Sequence, residues 1–502
     1  MLFTTPEFFI FLTVVLISTE LIRRELPQHA LLLAASYFFY WYSGSIHVLL
    51  LAFVTLTSYY CGYKVYNADN AQNKKIWLII GTLIPLAVLG YFKYIDWGIE
   101  SINSILAAFG ITAQISLLNV ALPVGISFFT FQALSYVFDI YLGRLEPEPK
   151  FHKYALFIAF FPQLVAGPIV RASEFLPQLK NKIIITGDNL QAGVTLIVWG
   201  LFKKMVIADN LAPFVDSAFA DPMSFSSLIL ILTVVAFGIQ IYCDFSGYAH
   251  IAIGCARILG FKLPENFDMP YLASNIQFFW RKWHMTLSRF IKDYVYIPLG
   301  GNRCGHARTY LNLFAAMLLC GLWHGAAWTF VLWGAYHGLL LALHRYFIGE
   351  KKLGSESRFL KSGAGLLFSI LVTQILVFFG WLIFRAESFE NLMEYIRAIL
   401  TSTSQFSPLI ERAINSGIIE RAMIAEIIDL GMIAGIIGLI VLFLLMLNKK
   451  FADTVHEILY LDYLGIISRQ KMRYWMIYLI VFISMILFLS PPETPEFIYF
   501  AF

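Results

Sequence analysis

Residues 277–338 read QFFWRKWHMTLSRFIKDYVYIPLGGNRCGHARTYLNLFAAMLLCGLWHGAAWTFVLWGAYHG, and the fold turns on how this stretch is read. At about 100° per residue a helix places Gln277, Arg281, His284, Ser288 and Lys292 within roughly a quarter turn of one another. That is a polar stripe in an apolar chain. Forty residues after His284 comes His324, with almost nothing polar beside it in Cys320-Gly321-Leu322-Trp323-His324-Gly325. An ionisable side chain at membrane depth is costly, so it is expected to face a bundle interior or a wet cavity and to carry function. The rest of the chain is expected to hold these two histidines in place.

Working outward, composition excludes an ordinary soluble protein. Only 14% of the 502 residues are charged, 59% are hydrophobic and the mean hydropathy is +0.72, against about 25% charged in soluble domains. Runs long enough for a hydrocarbon core of about 30 Å recur throughout, and no polar stretch is long enough to fold apart. The expectation is one integral membrane domain over residues 1–502, with further C-terminal spans in 429–502. A net charge of +4 gives no reason to expect nucleic acid, and the bilayer is the implied surroundings. The five cysteines form no CxxC, so neither zinc nor a disulfide framework is indicated and no metal is expected. The N-terminal stretch lacks a basic region and a cleavage site, and reads as a retained first span.

Spans are expected over residues 7–22, 30–42, 46–63 and 76–92, the last ending at Lys93, with an amphipathic segment over 95–109 along the outer interface. Residues 122–142 carry Ser127, Gln132, Ser135 and Asp139 and are expected to pack against protein. Pro162 and Pro168 imply a broken or re-entrant helix, tolerated at depth only under protein or beside a wet cavity. A helix should end at Lys203 and Lys204, followed by a span over 226–242, the polar frame of Asp244, Ser246 and His250, and a short helix closing at Arg257 and Lys262. Later spans fall at 310–323, 328–344, up to 384, 432–447 and 474–490, with an amphipathic connection over 387–429. The positive-inside rule puts the loops around Lys74 and Lys351 in the cytoplasm, and the N-terminus and the PPETPEF tail outside. No internal repeat of the kind found in many transporters is visible.

His324 is the leading candidate for chemistry, because a neutral imidazole can take a proton from a hydroxyl during acyl transfer and return it to the leaving group. Gly321 and Gly325 leave room for a substrate or another helix to approach. The competing reading is a core histidine that ties helices together. His284, beside Arg281 and Lys292, either positions a substrate or is an interfacial residue. The basic residues Arg281, Lys282, Arg289, Lys292, Arg303 and Arg308 either hold phosphates of a cytoplasmic cofactor or only set topology. Asp244 and Asp139 can pair with a buried Arg or His or cap a broken helix. Cys320, one turn before His324, makes a Cys/His nucleophile pair geometrically possible. There is no Walker loop, GxSxG elbow or HExxH.

The strings LGFKLPENFDMPY, FWRKWHMTLSRFIKDYVYIPLGGNRCG and LCGLWHGAAWTFVLWGAYHG resemble the membrane-bound O-acyltransferase family, in its bacterial alginate O-acetyltransferase branch. So do ASYFFYWY, LPVGISFFTFQALSYVFDIYLG, FFPQLVAGPIVR and IYCDFSGYAHIAIG, and the likeness spans about residues 1–400. The resemblance implies an all-α polytopic bundle of about eleven to thirteen helices, some broken, around a central tunnel. It implies that His324, in the WHG motif, is catalytic and that His284, in the RxWHxSLS motif, shares the site. Thr286 stands where a serine is commoner. The resemblance further implies acetyl-CoA as cytoplasmic donor and a multi-pass protein of the bacterial inner membrane. A periplasmic acetyltransferase or esterase-like partner and an exported polysaccharide, alginate-like or else peptidoglycan or cellulose, would receive the acetyl group. A sister branch transfers D-alanine to teichoic acid. A different class of function, a transporter or flippase using the histidines as a proton relay, would have no use for a thioester.

Overall fold

A computed structural model describes residues 1–401, apart from 45, 166, 181, 353–356 and 358–361, together with 463–492 and 497–498. Small polar residues open its helices. Asn70, Thr186, Ser226, Asn275 and Ser362 each accept a hydrogen bond from the backbone N–H three residues on, supplying a partner that a first turn lacks. The described residues form helices and no strands. In order these are α1 (Pro6–Leu21), α2 (Glu25–Gly44), α3 (His47–Tyr66), α4 (Ala71–Ala108), α5 (Ile126–Tyr141), α6 (Phe151–Ala159), α7 (Phe161–Leu164) and α8 (Ala172–Phe175). There follow α9 (Gly187–Leu201), α10 (Asp209–Ala220), α11 (Ser227–Ile258), α12 (Ile276–Lys282), α13 (Met285–Ile291), α14 (His306–His324) and α15 (Trp328–His344). The last are α16 (Gly363–Arg385), α17 (Phe389–Thr401), α18 (Tyr463–Ser468) and α19 (Met472–Leu489). By length and composition six can cross a membrane: α3, α4, the continuous run Gly187–Ala220, α11, α16 and α19. The chain is an all-α, multi-pass membrane protein.

Burial follows a bilayer solvent. Ile10, Val14 and Ile17 on α1, Leu49, Phe53 and Leu56 on α3, and Ile477 and Ile480 on α19 are exposed apolar side chains for lipid to cover. Polar groups turn inward instead. Nearly all of α5 to α7 is buried, and α11 runs through the core beside α9, α16 and α17. The expected break near Pro162 is present, since α6 stops at Ala159 and α7 starts at Phe161 with Pro162 in its first turn. The freed backbone groups find protein partners: the Phe161 N–H donates to Ser36 Oγ at 3.1 Å, and Gln163 Nε2 donates to the Phe157 carbonyl at 2.6 Å. That is the condition for irregular backbone at this depth.

Four expectations are corrected. The span over 76–92 and the interfacial segment after it are one 38-residue helix, α4, which does not stop at Lys93 because that side chain turns inward to a partner described below. The helix expected to end at Lys203 and Lys204 runs on through a π-helical turn (Phe202–Ala208) into α10, with both lysines buried. Their charges are met inside the protein: Lys204 Nζ lies 2.8 Å from Asp209 and 2.9 Å from Asp244, and Lys203 Nζ donates to Ser246 Oγ at 2.7 Å. The break expected after residue 242 is absent, and α11 is continuous for 32 residues. The polar stripe also fails, because the backbone leaves the helix between α12 and α13 at His284. Gln277, Arg281 and Lys292 are exposed while His284 is buried.

Of the PPETPEF tail, Phe497 is not a free end. It is fully buried, 4.2 Å from the Tyr248 ring and 6.0 Å from Phe245, and the Ile498 N–H donates to Asp244 at 2.8 Å. The expected span over 432–447 and the connection from 402 to 429 lie outside the described residues. Polar contacts also link segments that lie between helices. Glu25 pairs with Lys153 at 2.8 Å, Lys74 lies over Tyr141, and His306 meets Glu350 at 2.7 Å.

Candidate active site

His284 occupies the junction of α12 and α13 with φ +42° and ψ +56°. Left-handed backbone is uncommon for a residue with a Cβ and persists only where the surroundings dictate it. Asn266 dictates it here. Its carbonyl accepts the Met285 N–H at 2.9 Å, and its side-chain oxygen accepts the Thr286 N–H at 3.2 Å and the Thr286 hydroxyl at 2.9 Å. The Thr286 oxygen in turn accepts the Ile169 N–H at 3.0 Å, which ties the junction to the segment following the broken helix. A serine could make the same two bonds, so threonine at this position preserves the linkage.

His324 is the last residue of α14, and Gly325 continues in extended backbone. A Cβ on Gly321 would strike the Phe330 carbonyl oxygen and one on Gly325 the Phe330 ring. Of the two uses that the flanking glycines allow, close approach of another helix is therefore the one observed, since α15 fills that space. The packing folds α14 back on α15 and fixes where His324 emerges.

The two histidine rings meet with centroids 6.3 Å apart. Both are buried, at 0% and 2% relative exposure. Aromatic rings enclose them: Phe245 at 4.7 Å and Trp323 at 5.5 Å from His284, and Trp323 at 5.0 Å, Trp333 at 5.0 Å and Phe384 at 5.4 Å from His324. Neither ring nitrogen of His284 has a hydrogen-bond partner among the described residues. Cys320 is buried one turn before His324. A third histidine, His337, lies 4.9 Å from Trp333 and accepts the Trp280 indole N–H through Nδ1 at 3.3 Å. It lies within the quoted WHG-containing string, yet nothing in its spacing announces a place near the site.

The expected basic cluster divides into paired and unpaired side chains. Lys282 pairs with Asp268 at 3.0 Å and Arg289 with Glu174 at 2.8 Å. Arg281, Lys292 and Arg303 are exposed, without a carboxylate partner among the described residues. Asp139 accepts the Tyr294 hydroxyl at 2.8 Å, and Arg171 pairs with Asp293 at 2.7 Å. Sequence reasoning missed one neighbour of His324 altogether. Lys93 Nζ donates to the carbonyls of Trp323 and His324 at 2.8 and 2.9 Å, and the adjacent Tyr94 hydroxyl donates to the Leu322 carbonyl at 2.7 Å. Lys93 follows an apolar run and so reads as a boundary charge.

The family model of the membrane-bound O-acyltransferases matches residues 144–350, which include both helix junctions and all three histidines. A probable alginate O-acetylase AlgI of Pseudomonas aeruginosa is 38% identical over 415 residues, 82% of this chain and 77% of the relative. A peptidoglycan O-acetyltransferase of Helicobacter pylori is 36% identical over 431 residues, 80% of each. A teichoic acid D-alanyltransferase of Bacillus subtilis is 28% identical over 279 residues, 53% of this chain and 69% of the relative. On its motifs, its membrane helices and these relatives, the chain belongs to the membrane-bound O-acyltransferase family and is an O-acyltransferase.

Proposed function

We propose that the protein is a membrane O-acetyltransferase of the bacterial inner membrane, taking acetyl from cytoplasmic acetyl-CoA for O-acetylation of an exported, alginate-like polysaccharide, with His324 as general base. The observation that carries this reading is the 6.3 Å approach of the His284 and His324 rings in a buried aromatic enclosure. That separation is roughly what a hydroxyl oxygen needs to hydrogen-bond a nitrogen of each ring at about 2.8 Å. His324 takes the hydroxyl proton as the oxygen attacks the thioester carbonyl, the carbon–sulfur bond breaks, and the proton returns to the leaving thiolate. His284 positions the acceptor from the opposite side.

The relatives named for alginate and peptidoglycan support acetyl transfer to a polymer hydroxyl, directly or through a periplasmic acetyltransferase-like partner. The D-alanyl relative covers less of the chain. For the donor, Arg281, Lys292 and Arg303 remain available for coenzyme A phosphates, whereas Lys282 and Arg289 already serve carboxylates. Lys292→Ala should therefore raise the apparent KM for acetyl-CoA with little change in kcat.

The test uses the full chain in lipid nanodiscs with radiolabelled acetyl-CoA, alone and with candidate partner and polymer. Label passing to a hydroxyl acceptor, and lost in His324→Ala, is the expected result. Thioester that stays intact while a proton gradient is consumed would instead support a transporter. Comparing acetyl content of secreted polymers in a deletion strain identifies the acceptor.

A further inference from the structure

The last turn of an α-helix leaves four carbonyls without an intrahelical partner. In α14 these belong to Gly321, Leu322, Trp323 and His324, and the residue that follows is no conventional cap. Gly325 is extended, with φ −160° and ψ 159°, and does not adopt the left-handed form that would fold an N–H back onto the turn. Three of the four carbonyls are taken instead by two consecutive residues of α4, more than 200 residues earlier: Tyr94 holds Leu322, and Lys93 holds both Trp323 and His324.

Lys93 has no carboxylate within 4.0 Å among the described residues. A cation sunk between helices without an acid would be costly. The C-terminal end of α14 supplies a compensating partial charge of about −0.5, so the ammonium and the helix end stabilise each other. This explains why α4 passes through the expected boundary at residue 93 without a break. It also places a rigid cross-brace on the backbone of the very residue whose ring faces His284.

We propose that Lys93 and Tyr94 are positioning residues for His324, clamping the end of α14 so that the imidazole keeps its aim on the acceptor hydroxyl. The proposal rests on the reading of His324 as general base. Catalytic geometry is sensitive at this scale, since a misplacement of about 1 Å can cost about 100-fold in rate. Arginine can reach the same carbonyls with charged N–H donors, methionine cannot, and phenylalanine in place of Tyr94 removes one bond.

The experiment compares Lys93→Met, Lys93→Arg, Tyr94→Phe and His324→Ala in the full chain in nanodiscs, measuring kcat and KM for acetyl-CoA together with hydrogen exchange of the peptide over residues 319–328. Lys93→Met should lower kcat by about 10- to 100-fold with KM nearly unchanged. Exchange in that peptide should rise while exchange in α11 stays as in the parent. Lys93→Arg should recover most of both, and Tyr94→Phe should fall between. Parental kcat and exchange in Lys93→Met would overturn the clamp, as would a drop that Lys93→Arg does not relieve. His324→Ala separates the two failures. Full activity in that variant overturns the role of His324, and hydrogen exchange in Lys93→Met then decides whether the clamp stands. Inactivity of His324→Ala beside an undisturbed Lys93→Met overturns the clamp alone.

Discussion

Asp244 and Phe245 are neighbours on α11 yet serve two buried polar regions built on opposite rules. Asp244 belongs to a charged cluster in which Lys204 lies between two carboxylates, at 2.8 Å from Asp209 and 2.9 Å from Asp244, and Lys203 donates to Ser246 while lying over the Tyr242 ring. Phe245 faces the histidine enclosure, 4.7 Å from His284, whose ring nitrogens have no hydrogen-bond partner among the described residues. Full charges at membrane depth must be matched by opposite charges or strong donors, and matching leaves little capacity for a substrate. An imidazole can be neutral by itself, so it can be buried with a nitrogen kept for chemistry. On the proposed reading of His324, the first region is a brace and the second a workplace.

The sharpest way to break this contrast is His324→Ala. The variant should insert and fold normally, yet lose about 100- to 10,000-fold in acetyl transfer, the range for a missing general base, as measured by label transfer in nanodiscs. Lys204→Met tests the other side, because it leaves two buried carboxylates facing each other. Breaking a buried pair typically costs about 3–5 kcal/mol, which should appear as a lower unfolding temperature in detergent. Any enzyme that does fold should keep a near-parental KM for acetyl-CoA. A stable but inactive Lys204→Met would erase the distinction between brace and workplace.

Phe497→Ala asks how much the inserted tail adds to the brace. A buried phenylalanine in a well-packed core is worth about 3–5 kcal/mol, and the short segment around it can relax, so a loss of about 2 kcal/mol is expected in the same thermal measurement. The smallest effect belongs to Cys320→Ser, whose turnover should stay within about twofold of the parent if the thiol only packs. Acyl labelling of Cys320 together with loss of activity would instead mean a covalent route, with His324 activating a nucleophile one turn away.

Long apolar runs, the helices around residues 310–323 and 328–344 and the break at Pro162 were legible in the sequence because each depends on local composition and backbone chemistry. Lysines at depth were not. Lys93, Lys203 and Lys204 all look like boundary charges, and Lys93 and Lys203 are kept inside by partners remote in the chain: carbonyls 230 and 231 residues later for Lys93, and Ser246, 43 residues on, for Lys203. His284 failed as part of a stripe for a related reason. Its helix would have been regular but for Asn266 and Thr286, whose bonds to the junction no periodicity predicts. The motif strings did contain Asn266, His284, His324 and His337, but only the fold turns two strings into rings 6.3 Å apart.

The bond from Ile498 to Asp244 spans 254 residues. At synthesis rates of about 5–20 residues per second, α11 waits roughly 10–50 s for that donor to leave the ribosome. Through that interval one carboxylate oxygen at the heart of the brace depends on Lys204 or on water let into the half-built bundle. The docking of residues 497 and 498 is therefore a late step in biogenesis, and chains stalled short of them should be recognisable to membrane quality control as unfinished.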